Sequence, residues 1–449
     1  MKPKKRIRIS QCMIVKNEEA NIEKALSWGK SVMWEQIVVD TGSTDGTAEL
    51  AKKLGAKVFF FDWINDFAAA KNYAIEQAKG DWIAFFDADE YMVLQDARDM
   101  YRVLEGLAPN SYNAISTGCQ NLDDEGKVFS SGTQIRIFRN TPDIRYRRRI
   151  HEQLVSLSGK ELFIGDISNE ISFFHTGYQK KALEGKEKKG RNRKLIQEEL
   201  EKDPKDHEML GYMGDECFGD GEICEAKKWY QKSIEQMPLS LPDYDQRSAY
   251  TFTQLLTILV RQWGNPGENL QENISEELRA VYGQAVKRLP KEGDFDYILG
   301  KWYAGRNQAE KAAEHLKLAI NKLETYGCYN KALLLAGNLL EVYGLLARCC
   351  YETGEIQTCI SYSVTYLKYD KYGMAVLSRL MKALIPCERG EEPEADKGAL
   401  ELFMKLYDSS SLKDRLFLIK TAEKSGCIQL AGFLAEQLCS PEERMSMGL

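Results

Sequence analysis

The chain is 449 residues long, 43% hydrophobic and 29% charged, with a formal net charge of -6. That is a globular composition, long enough for two or three domains and too acidic for general affinity toward nucleic acid. No run approaches the roughly 18 apolar residues of a membrane span, and the basic start MKPKKRIRIS lacks the apolar core of a signal peptide, so a cytoplasmic protein with no membrane span is expected.

Eleven cysteines, an odd number with no CxxC pairing, read as buried thiols in a reducing compartment, with structural zinc not expected. The first strand, Ile7 to Val15, runs into Lys16, Asn17, Glu18 and Glu19, which open a helix with apolar positions Ile22, Ala25 and Leu26. A second strand, Glu35 to Asp40, ends in TGSTDGT, a turn in which Thr44 or Asp45 can cap the next helix. The third, Lys57 to Phe61, precedes a helix from Phe67 to Ala78; the fourth, Trp82 to Phe86, stops on Asp87, Asp89 and Glu90. This alternation gives βαβ units and a parallel sheet with right-handed crossovers.

Carboxylates at the carboxyl end of a buried strand need a positive partner, and a divalent cation is the strongest one; the bland alternative is a turn whose acids face water. The ends of strands one, two and four carry Glu18, Asp40 and Asp87 on a single edge, where open α/β sheets bind ligands. Such acids can accept hydrogen bonds from a base and a ribose while a metal bridges to phosphates. Neither GxxxxGK[ST] nor GxGxxG occurs, so a diphosphate there would be neutralised by metal and basic side chains, which argues against phosphate-loop NTPases and dinucleotide dehydrogenases.

Further on, Asn113 to Asn121 and Thr133 to Arg139 alternate as strands around the turn DDEG. Two of only four histidines follow, in IRYRRRIHEQL (Ile144 to Leu154) and ISFFHTGY (Ile171 to Tyr178). Taken alone, His175 is more often a strand residue with one hydrogen bond, Glu152 a surface acid, and Arg145 to Arg149 a solvated face. Gln179 to Lys194 is a charged connector, and the composition then turns to long amphipathic segments. Leu210, Gly214, Gly221, Ala226, Tyr230 and Pro238 fit the tetratricopeptide pattern, which Leu299, Gly300, Tyr303, Ala312 and Ala319 repeat and Leu346, Ala347 and Gly354 echo. Leu195 to Cys439 is therefore expected to stack as an α-solenoid, offering a groove for a protein or peptide, or else a brace or dimerisation arm that leaves a homodimer open. The stripe Tyr362, Tyr366 and Tyr369 reads as helix packing.

Residues 7 to 91 resemble the catalytic domain of the inverting family-2 glycosyltransferases, because MIVKNEE, VVDTGSTDGT and FFDADE follow in that family's order and spacing. FDWINDFAAAKN, the aliphatic-His-Glu motif and His-x-Gly-Tyr are similar to the sublancin S-glycosyltransferase branch, whose members modify peptides or proteins. The resemblance implies a GT-A (Rossmann-like) nucleotide-sugar domain over residues 1–178, a connector over 179–194, and an all-α tetratricopeptide-like domain over 195–449. It further implies a UDP-sugar donor held by Val15, Glu18, Asp40, Lys71, Asp87 and Ala88, with Mn²⁺ or Mg²⁺ on Asp89, His175 and Asp87. Glu152 would be the catalytic base toward a Ser, Thr, Tyr or Cys side chain of a polypeptide, with His151 and Arg148 near the phosphates or orienting the base. The family often has Arg where this chain has Lys71 and glycine near Arg148, which opens the contact of Lys71 and the fit of the sugar. A glycosyltransferase of surface glycan or glycolipid, and a repeat scaffold on an inactive domain, are the alternatives.

Overall fold

Apolar runs of four to seven residues, too short for helices and bounded by turn residues, become the central strands. The computed structural model describes residues 6–107, 111–177, 190–243, 245–261, 271–327, 333–385 and 395–447. Tyr178 and residues 179–189 of the expected connector lie outside the described residues. β1 (Ile9–Val15), α1 (Ile22–Ser27), β2 (Glu35–Asp40), α2 (Thr47–Lys53), β3 (Lys57–Phe60), α3 (Phe67–Gln77) and β4 (Trp82–Phe85) follow the expected alternation. They give parallel strands in the order β3-β2-β1-β4, with Val15 opposite Asp40 and Cys12 opposite Phe85. Every residue of β4 is buried, as a strand covered on both faces must be. The cap of α2 differs in detail from expectation: Gly46 occupies the cap position without a side-chain bond, while Asp45 accepts from the Thr47 amide at 3.0 Å and hydroxyl at 2.5 Å.

Beyond β4 the sheet ceases to be parallel. β5 (Glu90–Tyr91), α4 (Leu94–Gly106), β6 (Ala114–Leu122), β7 (Val128–Arg139), β8 (Ile144–Arg147), β9 (Gln153–Ser156), β10 (Ile164–Asp166), β11 (Ser172–His175) and α5 (Arg191–Lys202) complete this part of the chain. β7 runs antiparallel to β4 and β6, β11 lies parallel to β6, and β5 pairs antiparallel with β11 at the sheet's end. The parallel part expected from the first four strands is present, and the two later strands expected around DDEG extend it into a mixed sheet. The reason is the tight turn at Asp123, whose carboxylate accepts from the amides of Glu125 and Lys127 while Gly126 takes φ +76°, so β6 and β7 form a hairpin instead of a crossover. The stretch from Ile144 to Leu154 is no single strand either: β8 and β9 make a separate ribbon, closed by the pair Arg147 and Gln153 around a loop carrying His151 and Glu152.

Two compact units divide at Pro204. Helix α5, which begins inside the expected connector, belongs to the first. Among the described residues, the second unit is entirely helical, in successive helix pairs. Tyr230 is fully buried, and a β-carbon at Gly214 would lie 2.5 Å from its ring, which is why glycine stands there; Gly300 approaches Leu316 the same way at 2.7 Å. The turns between paired helices also repeat. At Gly221, Gly354 and Gly426 φ is +79°, and the following amide returns five residues, from Glu222 to Cys217, Glu355 to Cys350 and Cys427 to Ala422, at 2.8, 2.8 and 3.0 Å. The repeat detected near Leu346 is therefore as regular as the first, and one at Gly426 escaped the sequence reading. Tyr362 and Tyr366 pack within the helices, whereas Tyr369 is exposed.

Near Leu289 the second unit holds a buried acidic pair. Burial, reinforced by Asp294, pushes the Glu292 carboxyl up to about 7 from an ordinary 4.5. Folding then binds its proton more tightly, so this contribution to stability is full below pH 4.5 and is lost as the pH rises through 7. Glu292→Gln, followed by urea denaturation with circular dichroism, is expected to gain stability relative to the native chain as the pH rises across that window; a pH-independent difference would refute the assignment.

Candidate active site

Strand order reverses between β1 and β4, and a cleft of about 950 Å³ opens over the carboxyl ends of these strands, where a doubly wound sheet leaves its crevice. Val15, Glu18, Lys71, Asp87, Ala88, Asp89, His151, Glu152 and His175 all line it. Among the residues expected at the site, Asp40 and Arg148 are not in its lining. Asp40 lies buried at the end of β2, where one carboxylate oxygen accepts from the amides of Gly42 and Ser43 at 2.8 and 2.7 Å and the other finds no hydrogen-bond partner. Arg148 takes φ +74°, a backbone region glycine enters without strain, so the left-handed turn is kept here with a side chain on it.

The acidic end of β4 is neutralised by the protein itself. Arg136 of β7 donates to Asp87 at 2.9 Å and to Glu90, while Lys71 of α3 stands 3.5 Å from Asp87 and 2.5 Å from Glu152. Burial opposes the charge on Asp87, but Lys71 and Arg136 outweigh it and hold its carboxyl below the usual range. For Lys71 and Arg136 burial again opposes charge, and the facing carboxylates prevail, raising both above their ordinary values. Glu90 differs: burial dominates even the attraction of Arg136 and pushes its carboxyl up to about 7. The positive partner expected at these acids is supplied, at Asp87 and Glu90, by Lys71 and Arg136.

Asp89 and His175 are brought together by the pairing of β5 with β11, which sets His175 opposite Glu90. The Thr176 amide and hydroxyl both donate to the Asp89 carbonyl at 3.0 Å, and His175 Nε2 lies 3.8 Å from Asp89 Oδ2. On its other side, His175 Nδ1 meets the Asn121 side-chain oxygen at 2.8 Å, which fixes the ring with Nε2 on the side of Asp89. A β-carbon at Gly177 would sit 2.4 Å from His175 Nε2 and 2.7 Å from Asp89 Oδ2, so glycine keeps the space beside both donors clear. One imidazole nitrogen and one carboxylate oxygen suit Mn²⁺ or Mg²⁺ sharing its remaining positions with phosphate and water. The expected third ligand, Asp87, is turned to Lys71 and Arg136, and among the described residues no group of three His, Cys, Asp or Glu is arranged around one point.

Sequence reasoning missed Arg136, although an arginine between Ile135 and Ile137 in a strand beside β4 was the available signal. It also missed Trp63, Phe67, Arg191 and Asn192, which line the cleft, the last two from α5. Trp63 meets Phe67 edge to face at 4.8 Å, and the Arg191 guanidinium lies 5.2 Å over the Phe67 ring. The run Arg145 to Arg149 does not converge on the cleft: Arg145 donates to the carbonyls of Thr141 and Ile144, and Arg149 faces Asp66, Glu198 and Glu199.

Residues 10–185 match the Glycosyl transferase family 2 model. The matched stretch lies within the first unit, which is thus similar to a family-2 glycosyltransferase domain. Over 234 residues the chain is 32% identical to the TPR repeat-containing protein Synpcc7942_0270 of Synechococcus elongatus, covering 51% of this chain and 57% of that one. Over 255 residues it is 28% identical to the SPbeta prophage-derived glycosyltransferase SunS of Bacillus subtilis, covering 56% and 58%. The matches thus span less than two thirds of either relative. A solved structure of S. aureus TarS 1–349 with UDP-GlcNAc aligns with a TM-score of 0.33 at 15% identity, over 72% of this chain and 93% of that one.

Glu90 is buried and Arg136 mostly so, and removing one strands the other. Arg136→Met should cost the first unit about 3–5 kcal/mol, and adding Glu90→Met should restore part of that loss, as expected for a buried pair. Denaturation of the single and double variants measures the coupling; additive losses would contradict it.

Proposed function

We propose that the chain is a metal-dependent inverting glycosyltransferase that moves a hexose from a UDP-sugar to a Ser, Thr, Tyr or Cys side chain of a peptide or protein. The observation that carries this reading is the meeting, in one cleft, of the Asp89 and His175 pair with Glu152. Val15, Glu18 and Ala88 would contact the nucleotide from the cleft lining, while Asp40, buried outside that lining, would hold the turn at Gly42 and Ser43. Asp89 and His175 would hold Mn²⁺ or Mg²⁺, which when bound neutralises charge on the diphosphate leaving group.

Glu152 would take the proton of the acceptor hydroxyl or thiol as that heteroatom attacks the anomeric carbon. The bond from that carbon to the β-phosphate oxygen breaks as the new bond forms on the opposite face, and UDP departs. Trp63 and Phe67 give the cleft an apolar wall for the acceptor. The helical repeats of the second unit would bind the polypeptide that supplies it, as concave solenoid surfaces commonly do. No helix among the described residues is long and apolar enough to cross a membrane.

Glu152→Gln is expected to bind UDP as the native chain does while turnover falls by about 10²–10⁴, the usual contribution of a general base. Asp89→Ala should abolish the dependence of UDP release on Mn²⁺. Both are read by UDP release from UDP-glucose or UDP-N-acetylglucosamine, and by intact mass of candidate peptides. Full turnover in Glu152→Gln would remove it from the mechanism.

A further inference from the structure

Lys71 reaches the cleft with its ammonium already enclosed. The residue is 3% exposed, and its Nζ has Glu152 Oε1 at 2.5 Å, Asp87 Oδ1 at 3.5 Å, and the rings of Phe85 and Tyr146 each at 5.2 Å. These neighbours come from the end of β4, from β8, and from the loop before β9. A cation boxed by two rings and shared by two carboxylates has little freedom to follow a diphosphate.

The rest of α3 grips the same loop. Asp66 caps α3 through the Ala69 amide and lies 3.8 Å from Arg149, while the Phe67 amide donates to the Arg149 carbonyl at 2.9 Å. Asn72, next to Lys71, brackets the Tyr146 backbone, donating to its carbonyl and accepting from its amide at 2.9 Å each. The loop needs such bracing, because Arg148 and His151 both hold left-handed backbone that only a well-determined surrounding keeps in place. Lys71 is the one point at which this brace reaches the carboxylate proposed as base.

Resting on the transferase reading above, we infer that Lys71 is a positioning residue: it ties the donor-side carboxylate of Asp87 to the acceptor-side carboxylate of Glu152 and fixes the aim of the base, with no contact to the nucleotide of its own. Charge at this point is essential and the shape of the head group is secondary, so arginine substitutes for it.

The test uses the full chain with Mn²⁺ and UDP-glucose or UDP-N-acetylglucosamine, with water as acceptor, alongside calorimetric binding of UDP. Lys71→Met is expected to lower kcat about 100-fold, the effect of an ångström-scale misplacement, with KM for the UDP-sugar and Kd for UDP unchanged. Lys71→Arg is expected to restore most of kcat. Lys71→Gln, polar but uncharged, gives a folded comparison if the methionine variant melts early, and should show the same loss confined to kcat. Weakened UDP binding with unchanged kcat in the methionine or glutamine variant would make Lys71 a nucleotide contact and overturn the inference while leaving the transferase reading intact. A native chain that neither binds UDP nor consumes UDP-sugars would sink both.

Discussion

Two largely buried cations at the acidic end of one strand decide the shape of this site. β4 delivers Glu90 into the interior and Asp87 to the cleft edge, and Lys71 and Arg136 meet them there. Because the cations come from α3 and β7, the ion network also welds the first βαβ units to the antiparallel half of the sheet. Such a network stabilises only when it is complete, since each partner lost leaves a charge stranded in low dielectric. Its consequence for chemistry is a separation of labour among the acids. Asp87 and Glu90 take part in internal charge balance, Asp89 is left beside His175, and Glu152 is held by Lys71 in the same cleft.

Topology supplies the rest. A purely parallel sheet would have kept β11 far from the end of β4. The β6–β7 hairpin instead allows β11 to run beside β6 and β5 to fold back on β11, which sets His175 next to Asp89 across a gap that Gly177 leaves open. The loop between β8 and β9 carries Glu152 back over the same edge, fastened by Asn72 and Lys71. Residues more than eighty positions apart thus face one cleft through backbone pairing that neither motif predicts singly.

Much of this was readable beforehand, for identifiable reasons. Strands β1 to β4 announced themselves because buried parallel strands are short, apolar and bounded by turn chemistry. The repeats did so through small residues such as Gly214 and Gly300, which the close approach of Tyr230 and Leu316 demands. The mixed second half of the sheet was not readable, since Glu90 and Tyr91 pair over a span that local pattern does not encode. Arg136 was missed because an isolated charged residue in a strand looks like a solvated face until the neighbouring strand is known to end in acids. Arg191 and Asn192 were missed because their surroundings in sequence read as a polar connector, although they open a helix of the first unit. The meeting of the two cations with Asp87 was not readable either, because they arrive from α3 and β7 and no local motif announces it.

The central claim is that a UDP-sugar lies across the ends of β1 and β4 with its diphosphate at the Asp89 and His175 pair. The most direct measurement is a crystal structure of the full chain with UDP and Mn²⁺, with anomalous scattering used to place the metal. Manganese bonded to Asp89, His175 and the diphosphate, with the uracil beside Val15 and Glu18, is the predicted result. A nucleotide bound elsewhere, or manganese away from both side chains, would contradict the account.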